Sequence, residues 1–515
     1  MKKTLFIKNA AYLTASSLIL RFAGIIFKIW IAGKIGAEGM GLYQLVFSVL
    51  VLGSAFAQSG IPTAVTRLVA ENAQKGKKSI GKIMKVTFSI NLALSFITAV
   101  ILFLFSDSIA RKIISDSRTA LSIKIIGLAI FFIGVSSIIK AYFIARRKAS
   151  PTAVSGLIEQ SVRIAAVFIF AKRALPFGLS VTCAAVFLGD TIAEIVSSVY
   201  LYLRYRFDFS KLPQSSCEAK NPIGEIISIS LPLTASRYIN QLLRTAENML
   251  VPRALYKYSK KGALSLFGMI KGMALPVLFF PSVILGAVST LLIPEMSEAK
   301  VNKHKGLVRC AVEDVIHSAA ITGVICAALF YGAGYNIGFL LYKSADVGFL
   351  LTALSPIVPL MYIDSLCDGL LKGLDQQNFC FRVAVGDSAL RIVLIFIFVS
   401  RFGIAGFIGI MYFSNLLTCL LNVNRLIKIS GAELSVQKTV LYPVIFAFTS
   451  TLLIKFILGF FALSNLVYII LLCLISTLIY IFLIYRFGCI NFASVGPIRR
   501  PKKYASKMVR TSFAK

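Results

Sequence analysis

The sequence predicts an all-α polytopic membrane protein with about fourteen transmembrane helices, forming two pseudo-symmetric six-helix lobes followed by a C-terminal helix pair. Three observations predict it. Of 515 residues, 57% are hydrophobic and only 15% are charged, and the mean hydropathy is +0.83, a balance that no water-soluble domain of this length sustains. Apolar segments of roughly 20 residues, the length that spans a bilayer as a helix, recur along the whole chain. And the chain repeats itself, with one helix sequence returning 228 positions later.

Taken in order, the first six segments fall at about 10–32, 42–60, 84–105, 120–141, 152–171 and 180–203. The first imitates a signal peptide, because Lys2, Lys3 and Lys8 precede it. It is too long for one, carries Arg21 and shows no convincing small-residue cleavage site, so it reads as an uncleaved helix. Six more segments follow at about 226–251, 263–292, 312–333, 347–371, 381–400 and 403–424, and a last pair at 438–461 and 464–486. The domains expected are an N-lobe (1–215), a C-lobe (216–430), the pair (431–488) and a basic cytoplasmic tail (489–515) that includes Arg499, Arg500, Lys502, Lys503, Lys507 and Arg510. Such a tail suits an anionic lipid surface. Lys and Arg concentrate in alternate loops, which places both termini in the cytoplasm; Arg253, Lys257, Lys260 and Lys261 dissent, in a loop that would face outward. Pro276 and Pro281 in the eighth helix, and Pro356 and Pro359 in the tenth, predict kinks.

The repeat is carried by EQSVRIAAVFIF at 159–170 and DSALRIVLIFIF at 387–398, and by LTAS at 13–16 and again at 233–236. Because six helices return the chain to the same side, the halves should be related by an axis along the membrane normal, with a substrate cavity between them. Charges inside the helices are the candidates for function, since a basic group at a membrane helix centre costs about 2.5–3.5 kcal/mol on insertion scales. Arg21 and Lys28 are seven apart and share a helix face; Arg237 and Arg244 do the same on the seventh helix, and Lys271 on the eighth joins them. These five are the candidate substrate-binding residues, with snorkelling to the interface as the alternative for Lys28. Glu159 with Arg163, and Asp387 with Arg391, are acid-first i,i+4 pairs, expected to neutralise themselves within one helix as structural support, and Glu247 is expected to orient Arg244. Asp190 with Glu194, and Asp364 with Asp368, lack a cation on their own turn; they are candidates for cation partners on other helices or for a coupling proton or Na⁺.

The composition also excludes much. The formal charge of +34 follows from positive-inside loops rather than nucleic-acid binding. Nine cysteines without a CxxC pair, several of them inside apolar runs (Cys183, Cys326, Cys473), and only two histidines, His304 and His317, suggest neither disulfides nor a metal site. There is no GxxxxGK[ST] loop and no soluble domain that could hydrolyse ATP. The expectation is therefore a non-enzymatic transporter without cofactors, driven by an ion gradient, the membrane potential or the substrate's own gradient.

The strings LRFAGIIFKIWIAGKIGAEGMGLYQLVFSV, SGIPTAVTRLVAE, ENMLVPRAL, SLFGMIKGMALPVLFFPS and LIPEMSEA resemble the stage V sporulation protein B family, within the multidrug/oligosaccharidyl-lipid/polysaccharide flippase (MOP) superfamily. The likeness runs from the first helix to about the twelfth. It implies a MATE-like fold, two six-helix lobes in a V, with a last helix pair that in MviN-type lipid II flippases lines a groove for the lipid tail. It also implies polyprenyl-diphosphate-linked sugars as substrates, peptidoglycan precursors for the spore cortex being the natural candidate. Arg21 falls where MviN-type relatives carry a first-helix cavity arginine and Lys28 lies near a second such position, while the second helix has no basic residue matching theirs. A diphosphate carries about two charges across hydrocarbon, and basic groups would replace its lost hydration.

The resemblance thus implies a flippase of the cytoplasmic membrane, moving a lipid-linked saccharide for polysaccharide and cell-wall synthesis. Its expected partners are the anionic lipid-linked substrate, membrane lipids and cell-wall synthesis enzymes, with no nucleic acid. A cation-coupled multidrug exporter of the same superfamily is the alternative, and it would call for acidic groups where the first helix has basic ones. A membrane glycosyltransferase would need a sizeable outer catalytic loop, and none is long enough.

Overall fold

The computed structural model describes residues 2–73, 76–214, 222–283, 285–286, 296–297, 299–300 and 304–489, with side chains from residue 19 onward. The LTAS side chains at 13–16 and the basic tail from Ile490 lie outside the described residues. Every long element is a helix, and there is no strand among the described residues. Among the described residues, ten helices are long and apolar enough to cross a membrane. The count differs from fourteen partly because two of the ten, Ile19–Glu71 and Gln377–Ser430, run to 53 and 54 residues. At 1.5 Å per residue each would reach about 80 Å, more than twice the hydrocarbon thickness, so each must break. The breaks come at Gly36 (φ 70°) and Gly403 (φ 57°), in the left-handed region that only glycine enters without strain.

The chain forms two compact units that divide at Gly268. In unit 1, α1 (Lys2–Gln58) leads into α2 (Ile61–Glu71), α3 (Gly76–Leu104), α4 (Ala120–Ala145), α5 (Ala149–Ala174), α6 (Leu179–Ser210) and α7 (Pro222–Tyr258). Thus the helix that opens the second sequence repeat, α7, packs on α1 and α2 within unit 1. The α1–α2 junction shows how irregular backbone survives at this depth. Asn91 Nδ2 on α3 donates to Ala57 O at 2.9 Å, Gly60 N donates to Thr234 Oγ1 at 2.8 Å, and Arg237 Nη1 donates to Ser59 O at 3.0 Å. Side chains from α3 and α7 therefore satisfy backbone groups that lipid could not. Arg253, one of the dissenting basic residues, caps carbonyls in the same way, donating from Nη2 to Lys112 O at 2.9 Å and also to Ile113 O. The core of α2, α3, α4 and α6 includes Val65, Ile83, Tyr142, Phe143 and Leu201. Tyr142 stands edge-on to Tyr205 at 4.9 Å and donates from its hydroxyl to Asp208 Oδ2 at 2.8 Å.

Unit 2 holds the remainder of the short apolar helix Ala263–Phe279, here α8, then α9 (Lys305–Tyr342), α10 (Ala345–Gly373), α11 (Gln377–Ser430), α12 (Gln437–Leu458) and α13 (Asn465–Arg486). The prolines mark irregular turns: a π-helical stretch at Gly268–Ala274 precedes Pro276, and a 3-10 turn at Ser355–Ile357 contains Pro356. The pair α12 and α13 packs on α9, where Tyr480 Oη donates to Ile321 O at 2.9 Å and Asn336 Nδ2 donates to Asn465 Oδ1 at 2.9 Å. The repeat is visible in local geometry. Asp116 and Ser344, 228 positions apart, each cap a helix by accepting from a backbone N–H, that of Arg118 and Val347 respectively. Large apolar side chains such as Phe96, Leu104, Phe456 and Phe482 are exposed, as a lipid-facing surface requires. The molecule is a multi-pass membrane protein.

Candidate functional site

The sequence-predicted acid–arginine pair on α5 is the centre of a larger network in unit 1. Arg163 donates from Nη2 to Glu159 Oε1 at 2.6 Å and from Nη1 to Gln160 Oε1 at 2.9 Å, and its Nε lies 3.0 Å from Asp190 Oδ1 on α6. On α4, Lys140 Nζ stands 3.6 Å from Glu159 Oε2. One turn beyond Asp190, Glu194 accepts a hydrogen bond from Ser136 Oγ at 2.6 Å. From α1, Lys28 lies within electrostatic reach of Asp190 and sits 5.9 Å from the Phe47 ring centroid. The charges thus alternate as Lys28, Asp190, Arg163, Glu159, Lys140. The i,i+4 pair forms on α5 as expected, and α4 and α6 each add a charge to it, Lys140 and Asp190.

This network faces a cavity of about 730 Å³ in unit 1. Among the described residues, four cations line it (Arg67, Lys140, Arg163 and Arg237) with two acids, Glu159 and Glu194. Arg67 is tied to Glu71 on α2 at 2.8 Å, with both side chains mostly exposed. Arg237 meets neutral acceptors, Ser59 O at 3.0 Å and Thr63 Oγ1 at 3.4 Å. Arg67 and Arg163 also face acids outside the lining, Glu71 and Asp190, so the positive charge without an acidic partner among the described contacts is centred on Arg237, and such a group favours an anion.

In unit 2 the same register carries different chemistry. Arg391 lies 3.0 Å from Asp387 and donates to Ser414 Oγ at 2.5 Å, and Ser414 Oγ in turn donates to Asp387 Oδ1. The positions 228 after Ser136 and Glu194 are Asp364 and Asn422, and Asn422 Nδ2 donates to Asp364 Oδ1 at 2.8 Å. The carboxylate has changed helices. The position 228 after Lys140 is Asp368, which accepts from Lys372 one turn on.

Arg21, Arg244, Glu247 and Lys271 are not among the residues that line this cavity. Arg21 on α1 and Arg244 on α7 are exposed, whereas Glu247 is buried. Lys271 belongs to unit 2, 5.9 Å from the Phe407 ring centroid. Sequence reasoning missed Lys140, Ser136, Arg67 and Asn422. Lys140 was findable, as a lone cation in the apolar run SSIIKAYF whose counterpart in the repeat is an acid.

A family profile described as "Polysaccharide biosynthesis protein" matches residues 6–300. Stage V sporulation protein B of Bacillus subtilis (strain 168) is 26% identical over 409 residues, covering 78% of this chain and 79% of that protein. Among solved structures, lipid II flippase MurJ in an inward closed conformation superposes with a TM-score of 0.69 at 14% identity, covering 92% of this chain and 98% of that one. An inward-facing multidrug resistance MATE family transporter of the MOP superfamily superposes with a TM-score of 0.62 at 14% identity, over 82% of this chain and 98% of that one. The fold is that of MurJ and the MATE transporters.

Proposed function

Because the chain belongs to the polysaccharide biosynthesis protein family, we propose that it is a flippase, moving a polyprenyl-diphosphate-linked saccharide across the cytoplasmic membrane by alternating access. The saccharide is a lipid II-like peptidoglycan precursor, with spore cortex synthesis as the setting, and both termini face the cytoplasm. The chain catalyses no reaction and needs no cofactor; an ion gradient, the membrane potential or the substrate gradient drives it.

The observation that carries this reading is the group of basic side chains around the unit 1 cavity, Lys140, Arg163 and Arg237, the first two on helices long and apolar enough to cross a membrane. A cation at that depth is costly, and a ligand diphosphate would repay it with charge-assisted hydrogen bonds. Arg21 and Arg244, exposed on α1 and α7, extend the basic character to groups that a headgroup meets on its way in or out.

The test is a proteoliposome assay of fluorescent polyprenyl-diphosphate-sugar translocation, run beside efflux of a cationic dye. Translocation without dye efflux is expected; dye efflux without translocation would move the chain to the exporter class. In correctly inserted protein, Arg21→Ala and Arg244→Ala should each slow translocation strongly. Arg21→Lys should do less harm, because it keeps the charge and loses only the planar fork. Unchanged rates in both alanine variants would remove these arginines from the substrate path.

A further inference from the structure

We propose that Arg253 is a reversible latch: the end of α7 that carries it parts from the rest of unit 1 and closes again, while the stretch of α7 beside Gly60 stays fixed. The inference rests on the flippase reading only for what the opening serves, passage of the substrate.

α7 opens the second half of the sequence repeat yet packs on α1, α2 and α3. Polar contacts hold it at three levels. Beside Gly60, Thr234 Oγ1 accepts from Gly60 N at 2.8 Å, and Tyr238 Oη donates to Phe56 O at 3.1 Å and stands 2.6 Å from Ser59 Oγ. Further along, Asn248 Nδ2 donates to Ser48 Oγ at 3.1 Å and Thr245 Oγ1 donates to Ser48 O at 3.4 Å. At the last level Arg253 donates to Lys112 O and Ile113 O, and from Nε to Ser115 Oγ at 3.1 Å.

These levels differ in what parting would cost. Ser48, Ser59 and Gly60 are buried, so opening there would leave backbone and hydroxyl groups without partners. Arg253, Lys112, Ile113 and Ser115 are exposed, so water replaces each bond that opens. The contact is also finely balanced. Lys112 and Ile113 lie in the last turn of a π-helical stretch, Ile109–Ile114, whose end carbonyls draw a cation. Against this, the acceptors of Arg253 are neutral among the described contacts, and Lys257, one turn on along α7, repels it. Pro252 supplies the hinge. Lacking an N–H, it interrupts the helix ladder directly before Arg253, so the last turn of α7 can swing without the rest.

The experiment follows hydrogen exchange by mass spectrometry in the full chain in nanodiscs. Arg253→Gln should speed exchange over 109–116 and 253–258 about tenfold, through loss of charge-assisted bonds, and leave 56–63 unchanged. Arg253→Lys, which keeps the charge but loses the fork, should fall between. In proteoliposomes, Lys112→Cys with Lys257→Cys, joined by a flexible reducible bis-thiol reagent, should lose translocation of polyprenyl-diphosphate sugar and regain it on reduction. The unmodified chain, treated with the same reagent, controls for the native cysteines. The latch is overturned if Arg253→Gln exchanges over 109–116 and 253–258 as the unmodified chain does, if 56–63 accelerates equally, or if the linked chain translocates at the full rate. Exchange decides the matter even where the cysteine variant does not insert. The expected exchange pattern in a chain that moves no polyprenyl-diphosphate sugar upholds the latch and counts against the flippase reading alone.

Discussion

Replacing Arg163 with methionine separates a tertiary charge network from a helix-local pair. Methionine keeps much of the side chain's length and apolar bulk while removing the guanidinium, so the loss is electrostatic. Two carboxylates lose their nearest cation, Glu159 at 18% side-chain exposure and Asp190 at 15%, around an arginine that is itself 27% exposed, and keep only the more distant Lys140 and Lys28. Breaking a buried pair by removing one partner costs about 3–5 kcal/mol, because the remaining charge is left desolvated. Arg391→Met in unit 2 removes the ion-pair partner of Asp387, which keeps a hydrogen bond from Ser414; with that donor retained, its cost should be nearer a single charge-assisted bond, about 1.5–3 kcal/mol. The triple variant Arg163→Met, Glu159→Gln, Asp190→Asn should recover most of the loss, since replacing all members of a buried ionic group is often close to neutral. Reversible unfolding in mixed micelles, read by tryptophan-independent far-UV dichroism, measures all three. The reasoning fails if Arg163→Met costs less than about 1 kcal/mol or no more than Arg391→Met, or if the triple variant is as unstable as the single one.

Two further outcomes follow from close approaches and a polar anchor. A Cβ on Gly268 would lie 2.0 Å from Ala37 O and 2.5 Å from Gly41 N, both backbone atoms that cannot rotate away. Gly268→Ala should therefore cost at least about 2 kcal/mol in the same unfolding measurement; Gly386→Ala, with open space around it, should be neutral or stabilising by up to about 1 kcal/mol. Asp208→Asn keeps an acceptor for Tyr142 but loses the charge that holds Lys148 and Arg146, at an expected cost of about 1–3 kcal/mol. Limited proteolysis at 146–148 should report it as faster cleavage, and unchanged protection would refute the anchoring role of Asp208.

Long-range order along the chain was legible because the bilayer acts as a uniform solvent. It demands apolar helices of a given length and concentrates Lys and Arg in the loops, and both demands are written residue by residue into one dimension. For that reason the all-helical membrane architecture, the helix sequence shared by 159–170 and 387–398, and the i,i+4 pairing of Glu159 with Arg163 and Asp387 with Arg391 could all be read from residue order. Where helices break could be read only in part. Prolines announce the irregular turns at Pro276 and Pro356, but Gly36 and Gly403 look like any other small residues in an apolar run until their backbone angles are known.

Which charges meet between helices was decided by tertiary structure alone. Arg163 reaches Asp190, and Lys140 approaches Glu159, because α4, α5 and α6 pack side by side. Helical periodicity puts residues on a face of their own helix and carries no information about which neighbour that face will meet. The same limit applies to the repeat. Residue order shows that Ser136 and Glu194 correspond to Asp364 and Asn422, but only packing shows that each set forms one hydrogen bond with its carboxylate on opposite partners. A buried charge in a membrane takes whatever counter-group lies within a few ångströms of it, and that distance is set in three dimensions.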